Sequence, residues 1–124
     1  MINLFFVASG GAIGASLRFF TSNLFKNFYP SFPLGTLLVN IIGSFLIGLL
    51  MNFLENKHFP ENFIRYFFII GILGSYTTFS AFSFEVIDLF NNKKIMISCF
   101  YILLSIFTCL FSAFLGYNIN KIYF

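Results

Sequence analysis

The sequence has no tryptophan, one histidine, two cysteines and very little charge: 9% of its 124 residues are Asp, Glu, Lys or Arg. Soluble domains carry about 25%, and most of a small domain is surface. A water-soluble globular fold is therefore excluded for want of groups to cover it. With 59% hydrophobic residues and a formal net charge of only +3, a disordered chain is excluded as well. The single histidine, His58, stands beside Lys57 in a polar run and reads as a solvated residue, so no Cys/His metal cluster and no nucleophile–base set can be assembled. Cys99 and Cys109 lie in one apolar stretch, about 15 Å apart on a helix, beyond disulfide reach. They read as small core residues. An active site needs convergent titratable groups. The four acidic residues, Glu55, Glu61, Glu85 and Asp88, are too few for one, and Glu85 and Asp88, three apart, read as capping or pairing residues. The chain is not expected to be an enzyme. Its scattered basic residues make no nucleic-acid or headgroup patch.

What the chain does have is length of apolar sequence. Crossing a hydrocarbon core takes about 20 apolar residues, and four stretches qualify, at about 2–24, 34–54, 64–90 and 95–119. Pro30 and Pro33, the run Glu55-Asn56-Lys57-His58 before Pro60, and Asn91-Asn92-Lys93-Lys94 separate them. No strand alternation and no internal repeat are present. The expected fold is one all-α membrane domain of four transmembrane helices, consecutive spans antiparallel because the loops are short. The N-terminus, MINLFFVASGG, lacks a basic leader segment, so the first span is expected to be retained.

Positive charge orients membrane proteins toward the cytoplasm. Here Lys57, Arg65 and Lys121 fall on one side, and Lys26, Lys93 and Lys94 on the other. A tie fits a chain that inserts in both directions and pairs antiparallel with itself. The seventh basic residue, Arg18, sits inside the first span. It reads either as a snorkelling side chain or as part of an anion-attracting vestibule.

Polar groups within a bilayer are costly and mark function. In the second span Thr36, Asn40, Ser44 and Gly48 recur every four residues as one ridge. Close helix packing accounts for Ser44 and Gly48, whereas the Asn40 carboxamide needs a partner or water and can donate to an anion. In the fourth span Ser98, Tyr101, Ser105, Thr108, Cys109 and Ser112 share a broad face and suggest a hydrophilic track. Gly10 and Gly14 have the spacing of a packing motif. The third span holds Gly71-Ile72-Leu73-Gly74-Ser75-Tyr76-Thr77-Thr78-Phe79-Ser80-Ala81-Phe82, a stretch of poor helix propensity. A helix broken near the middle is expected there, or else a kinked helix packed through its glycines. Broken spans use freed carbonyls to hold cations and half-helix N-termini to hold anions. Of the 22 phenylalanines, Phe79 and Phe82 follow the break on one face, and ring edges carry partial positive charge that suits an anion.

The set Gly10-Gly11-Ala12-Ile13-Gly14-Ala15-Ser16-Leu17-Arg18, then Gly35-Thr36-Leu37-Leu38-Val39-Asn40-Ile41-Ile42-Gly43-Ser44-Phe45, then Gly71 through Phe82, resembles the bacterial fluoride-specific ion channels (Fluc, also called CrcB). The three motifs come in the family's order along the whole chain. The resemblance implies an antiparallel, dual-topology homodimer with two pores in the bacterial inner membrane, exporting fluoride passively from the cytoplasm. It also implies a central structural sodium ion, held by the backbone carbonyls of Gly74 and Thr77 in both subunits. By matching position, Asn40, Phe79 and Phe82 would line the pore. Thr36, Ser80, Tyr101 and Ser105 would flank the fluoride path, and Arg18 would face a vestibule. Ser75-Tyr76 stands where the family commonly has Gly-Phe, Ala81 where Thr is frequent, and Phe19 where Tyr is common. The competing reading is a small dual-topology multidrug exporter, which needs a carboxylate deep in its first span, where this chain offers Arg18 alone.

Overall fold

The computed structural model describes residues 1–56 and 60–123; Lys57 and His58 lie outside the described residues. Every regular element among the described residues is helical: α1 (Ile2–Lys26), α2 (Leu34–Glu55), α3 (Glu61–Phe63), a π-helical segment (Ile64–Leu73), α4 (Gly74–Tyr76), α5 (Phe79–Asn91) and α6 (Ile95–Tyr123). Four stretches are long and apolar enough to cross a membrane: Ile2–Lys26, Leu34–Glu55, Glu61–Asn91 and Ile95–Ile119. The third reaches back to Glu61, three residues before the start expected from hydropathy. Pro60 precedes its first turn, where a missing N–H costs nothing, and Arg65 makes a 2.9 Å exposed ion pair to Glu61 one turn back.

Within the third span the winding is not uniform. Ile64–Leu73 is π-helical, a geometry that is rare beyond a single turn and occurs often at functional sites. Helical dihedrals then end at Tyr76. Thr77 has φ −78°, ψ 152° and Thr78 has φ −148°, ψ 121°, both extended. A new helix starts at Phe79, with the Thr78 hydroxyl accepting from the Ala81 amide at 3.1 Å, as an N-cap does.

Helix pairing follows the small residues. On α1, Gly10 comes within about van der Waals distance of Gly71, and a Cβ added at Gly14 would meet Ile72 C at 2.9 Å and Cα at 3.0 Å. The paired positions climb together, Gly10 with Gly71, Gly14 with Ile72 and Thr21 with Tyr76, whose hydroxyl donates at 3.3 Å. The first and third spans therefore run parallel. The second and fourth do the same: Gly48 of α2 meets the Ala113 backbone, Gly116 of α6 meets the Phe45 backbone, and Ser112 Oγ donates to the Ile41 carbonyl at 3.0 Å. Consecutive spans are antiparallel, but the tightest seams join alternate ones.

The α5–α6 turn closes with Lys94 N–H on the Leu89 carbonyl at 2.9 Å and Lys93 N–H on the Phe90 carbonyl at 3.1 Å. Lys93 takes the left-handed φ of 61° that this closure requires, a position usually filled by glycine. The apolar core gathers Leu37, Phe82, Leu89 and Tyr101, with Phe32 and Val86 packed against it. Most other large apolar side chains face outward, Phe79 at 77% exposure among them, as a bilayer or a partner surface would allow.

Candidate functional site

The extended residue Thr78 of the third span is held by a second-span side chain. Asn40, half-buried on α2, accepts from the Thr78 amide on Oδ1 at 2.8 Å and donates from Nδ2 to the Thr78 carbonyl at 3.0 Å. The carboxamide thus imitates a peptide group and satisfies both backbone groups of one extended residue. Thr78 is 8% exposed, so neither group would otherwise find water, and an unpaired buried amide or carbonyl costs about 1–3 kcal/mol. In a continuing α-helix the Thr78 amide would bond the Gly74 carbonyl. Asn40 removes that donor, and the Gly74 oxygen is released from its helical partner. The Thr77 amide and hydroxyl both remain on the Leu73 carbonyl, at 3.0 Å and 2.9 Å.

Beside this brace runs an open groove of about 460 Å³ lined by Asn40, Gly74, Thr77, Phe79, Phe82 and Ser105, with Gly43, Ser44, Thr78, Cys109 and several aliphatic residues completing its walls. Six of the residues named from sequence are therefore gathered in one place, although they come from three spans. The two rings lie 5.4 Å apart, tilted by 46°. Phe82 is buried at 8% exposure while Phe79 stands free. Ser105 Oγ is buried and has no hydrogen-bond partner among the described residues.

Thr36 and Tyr101 lie elsewhere. The Thr36 hydroxyl donates to Glu85 Oε1 at 2.5 Å, and the Tyr101 hydroxyl donates to Glu85 Oε2 at 2.7 Å. Thr36 and Glu85 line a second, more polar cavity of about 410 Å³, shared with Lys26, Asp88 and the Ser22–Gly35 connection. The Tyr101 ring packs 5.1 Å from Phe82, so one chain of contacts, Phe82 to Tyr101 to Glu85 to Thr36, joins the groove to the second cavity. A carboxylate accepting from two hydroxyls holds the donors that an anion on this line would use. Sequence reasoning had only paired or capped Glu85. The available signal was its depth in the third span, because a buried carboxylate must recruit donors.

Ser80 lies outside the groove, its hydroxyl 3.2 Å from that of Thr78. Arg18 is half-buried on α1, lines neither cavity, and makes no hydrogen bond or ion pair to another described residue. The stripe on α6 divides in two. Ser98 donates to the Val86 carbonyl at 3.2 Å, Thr108 to Leu104 at 2.6 Å and Ser112 to Ile41. Ser98 and Ser112 tie α6 to α5 and α2, Thr108 bonds back onto its own helix, and Ser105 and Cys109 are left on the groove.

Comparison with known proteins agrees with the sequence resemblance. Residues 5–117 match the family model described as CrcB-like protein, Camphor Resistance (CrcB). The chain is similar to the protein named fluoride-specific ion channel FluC of Campylobacter jejuni (serotype O:6), 44% identical over 98% of this chain and 100% of the relative. It is 40% identical to the FluC of Agrobacterium fabrum and 38% identical to that of Flavobacterium psychrophilum, each over 98% of both chains.

Proposed function

This chain belongs to the CrcB-like family, and we propose that it is a fluoride-specific ion channel, a multi-pass membrane protein and not an enzyme. It carries fluoride passively out of the cytoplasm across the bacterial inner membrane. The observation that carries the reading is the near-full-length likeness to channels named for fluoride, together with a groove where an amide, a free hydroxyl and two rings converge.

Fluoride entering this groove gives up water. The unpartnered Ser105 hydroxyl, the Asn40 N–H not engaged by Thr78, and the edges of Phe79 and Phe82 replace it, as pore-lining groups replace hydration in other channels. Phe82, buried against Tyr101, is the fixed ring; Phe79 is free to turn. Thr36 and Tyr101, their hydroxyl protons held by Glu85, and Ser80, beside Thr78, flank the path beyond the rings, and Arg18 supplies positive charge on α1 outside both cavities. Efflux of fluoride from potassium-loaded liposomes with valinomycin tests the reading. Phe82→Ala is expected to slow it by roughly tenfold or more, since it removes both the ring edge and the packing on Tyr101. Chloride leaving as fast as fluoride would overturn the selectivity.

The working unit is an antiparallel pair with the groove at its centre. An open groove bearing an exposed ring and an orphaned hydroxyl supports a second copy as its cover, and the even division of loop charges supports two-way insertion. The third span then acts as a broken helix, and the breaks of two copies meet about an in-plane axis. The donor set suits a small hard cation: the Gly74 carbonyl is relieved of its helical partner, and the extended Thr77 turns its own carbonyl off the helix line. These two oxygens from each copy would hold a sodium ion, which supplies fixed positive charge and ties the copies together. Replacing sodium throughout by a bulky organic cation is expected to lower fluoride efflux by roughly tenfold or more. Undiminished efflux would remove sodium from the picture. Gly74→Ala keeps the carbonyl, and its Cβ would meet only the Ile69 oxygen at 3.5 Å.

A further inference from the structure

Most polar side chains of α6 among the described residues are committed to protein partners; besides the exposed Cys99, two that share a face are not held by a backbone carbonyl or a carboxylate. Ser105 Oγ is buried, its residue 7% exposed, and is the one such side-chain atom without a partner among the described residues. Cys109 follows one helical turn later and is a free, half-buried thiol, its sulfur beside the Ser44 hydroxyl of α2. All three residues line the groove. Side chains four apart on a helix lie about 6 Å from each other, close enough for one ion to contact both. No carboxylate or imidazole lines the groove, so hard divalent cations find no charged ligand there. The strongest ligand it can offer is a thiolate, and thiolates select soft cations such as Cu(I). Cys99, the other free thiol, is exposed on α6 and lines neither cavity.

We propose that Cys109, with the Ser105 and Ser44 hydroxyls, forms a site for one soft monovalent cation, probed by Ag⁺, whose binding closes the groove to fluoride. The step is a proton-for-metal exchange. The Cys109 S–H bond gives its proton to water, the sulfur lone pair forms the S–Ag bond, and no electron is transferred. The hydroxyl oxygens then face the metal, which takes the Ser105 hydroxyl out of the fluoride path. The site itself rests on the thiol and the orphaned hydroxyl. Its effect on transport rests on the fluoride-channel reading.

The experiment has two arms, both on the full chain in chloride-free buffer. In liposomes, micromolar silver nitrate is expected to slow fluoride efflux by roughly tenfold in the wild type and in Cys99→Ser, with recovery on excess dithiothreitol. Cys109→Ser and Cys109→Ala are expected to be insensitive. In detergent, the metal retained after desalting is expected to be one equivalent per chain in Cys99→Ser and to be lost in the Cys99→Ser/Cys109→Ser double variant. Block that persists in both Cys109 variants overturns the proposal, as does an absence of retained silver in monodisperse Cys99→Ser protein. Retained silver in a chain that passes no fluoride upholds the site and instead overturns the fluoride reading.

Discussion

Asn40→Ala is expected to abolish fluoride efflux and to destabilise the fold by about 3 kcal/mol, because it strips two hydrogen bonds from one buried peptide at once. The Thr78 amide and carbonyl lose the partners they hold at 2.8 Å and 3.0 Å, and the residue is too buried to recruit water. The amide can recover a partner by returning to the Gly74 carbonyl, which rewinds the extended segment into helix. That removes the oxygen proposed for sodium and swings Phe79 and Phe82 about the helix axis. Asn40→Asp separates the two effects. It retains an oxygen for the Thr78 amide but sets a second oxygen against the Thr78 carbonyl, so it is expected to lose flux as completely while destabilising less. Denaturant or thermal unfolding in detergent, read beside liposome efflux, checks both. Full flux in Asn40→Ala would mean that the brace has no part in conduction.

Gly14→Val is expected to be among the most damaging packing changes, at about 3 kcal/mol or more, since overpacking a tight seam costs 1–3 kcal/mol for even modest insertions. The added Cβ falls against the Ile72 carbonyl oxygen and lies within 3.0 Å of two more backbone atoms. Backbone cannot rotate out of the way as a side chain can, so α1 and the π-helical segment must part. Gly11→Ala is the control: its Cβ would meet only the Ser75 hydroxyl, at 3.3 Å, and a hydroxyl turns aside. The melting temperature is expected to fall steeply for Gly14→Val and hardly at all for Gly11→Ala. Equal losses in the two would dismiss the seam as a stabilising feature.

These two sites mark where sequence reading succeeds and where it stops. The four apolar stretches were legible because hydropathy over a bilayer's length is a composition signal, independent of any partner. Gly10 and Gly14 were legible as packing residues because their spacing places them on one face. The stretch from Gly71 to Phe82 was legible as unusual, and the extended pair Thr77–Thr78 falls inside it. The partners of polar residues were not legible. Asn40 stood out as a mid-span carboxamide, but nothing local says that it spends itself on Thr78, 38 residues away. Thr36 and Tyr101 were placed beside the fluoride path without the carboxylate of Glu85 that claims both hydroxyls. Such bonds depend on how whole helices are juxtaposed, which no local pattern encodes. The π winding of Ile64–Leu73 was equally silent, because its residues would form an ordinary apolar helix and only the hydrogen-bond register differs.

The pairing of alternate spans governs the order in which the chain can be assembled. As synthesis proceeds, α1 emerges first, but its glycine face fits the π-helical segment, which follows after α2 has already entered the bilayer. The second span must wait in the same way for α6, and the Asn40 brace cannot close until Thr78 has been made. A hairpin of α1 and α2 alone satisfies neither of these surfaces: the first closes only once the third span is made, the second only once α6 is made. Only when Gly116 reaches Phe45 does the last of these surfaces find its place.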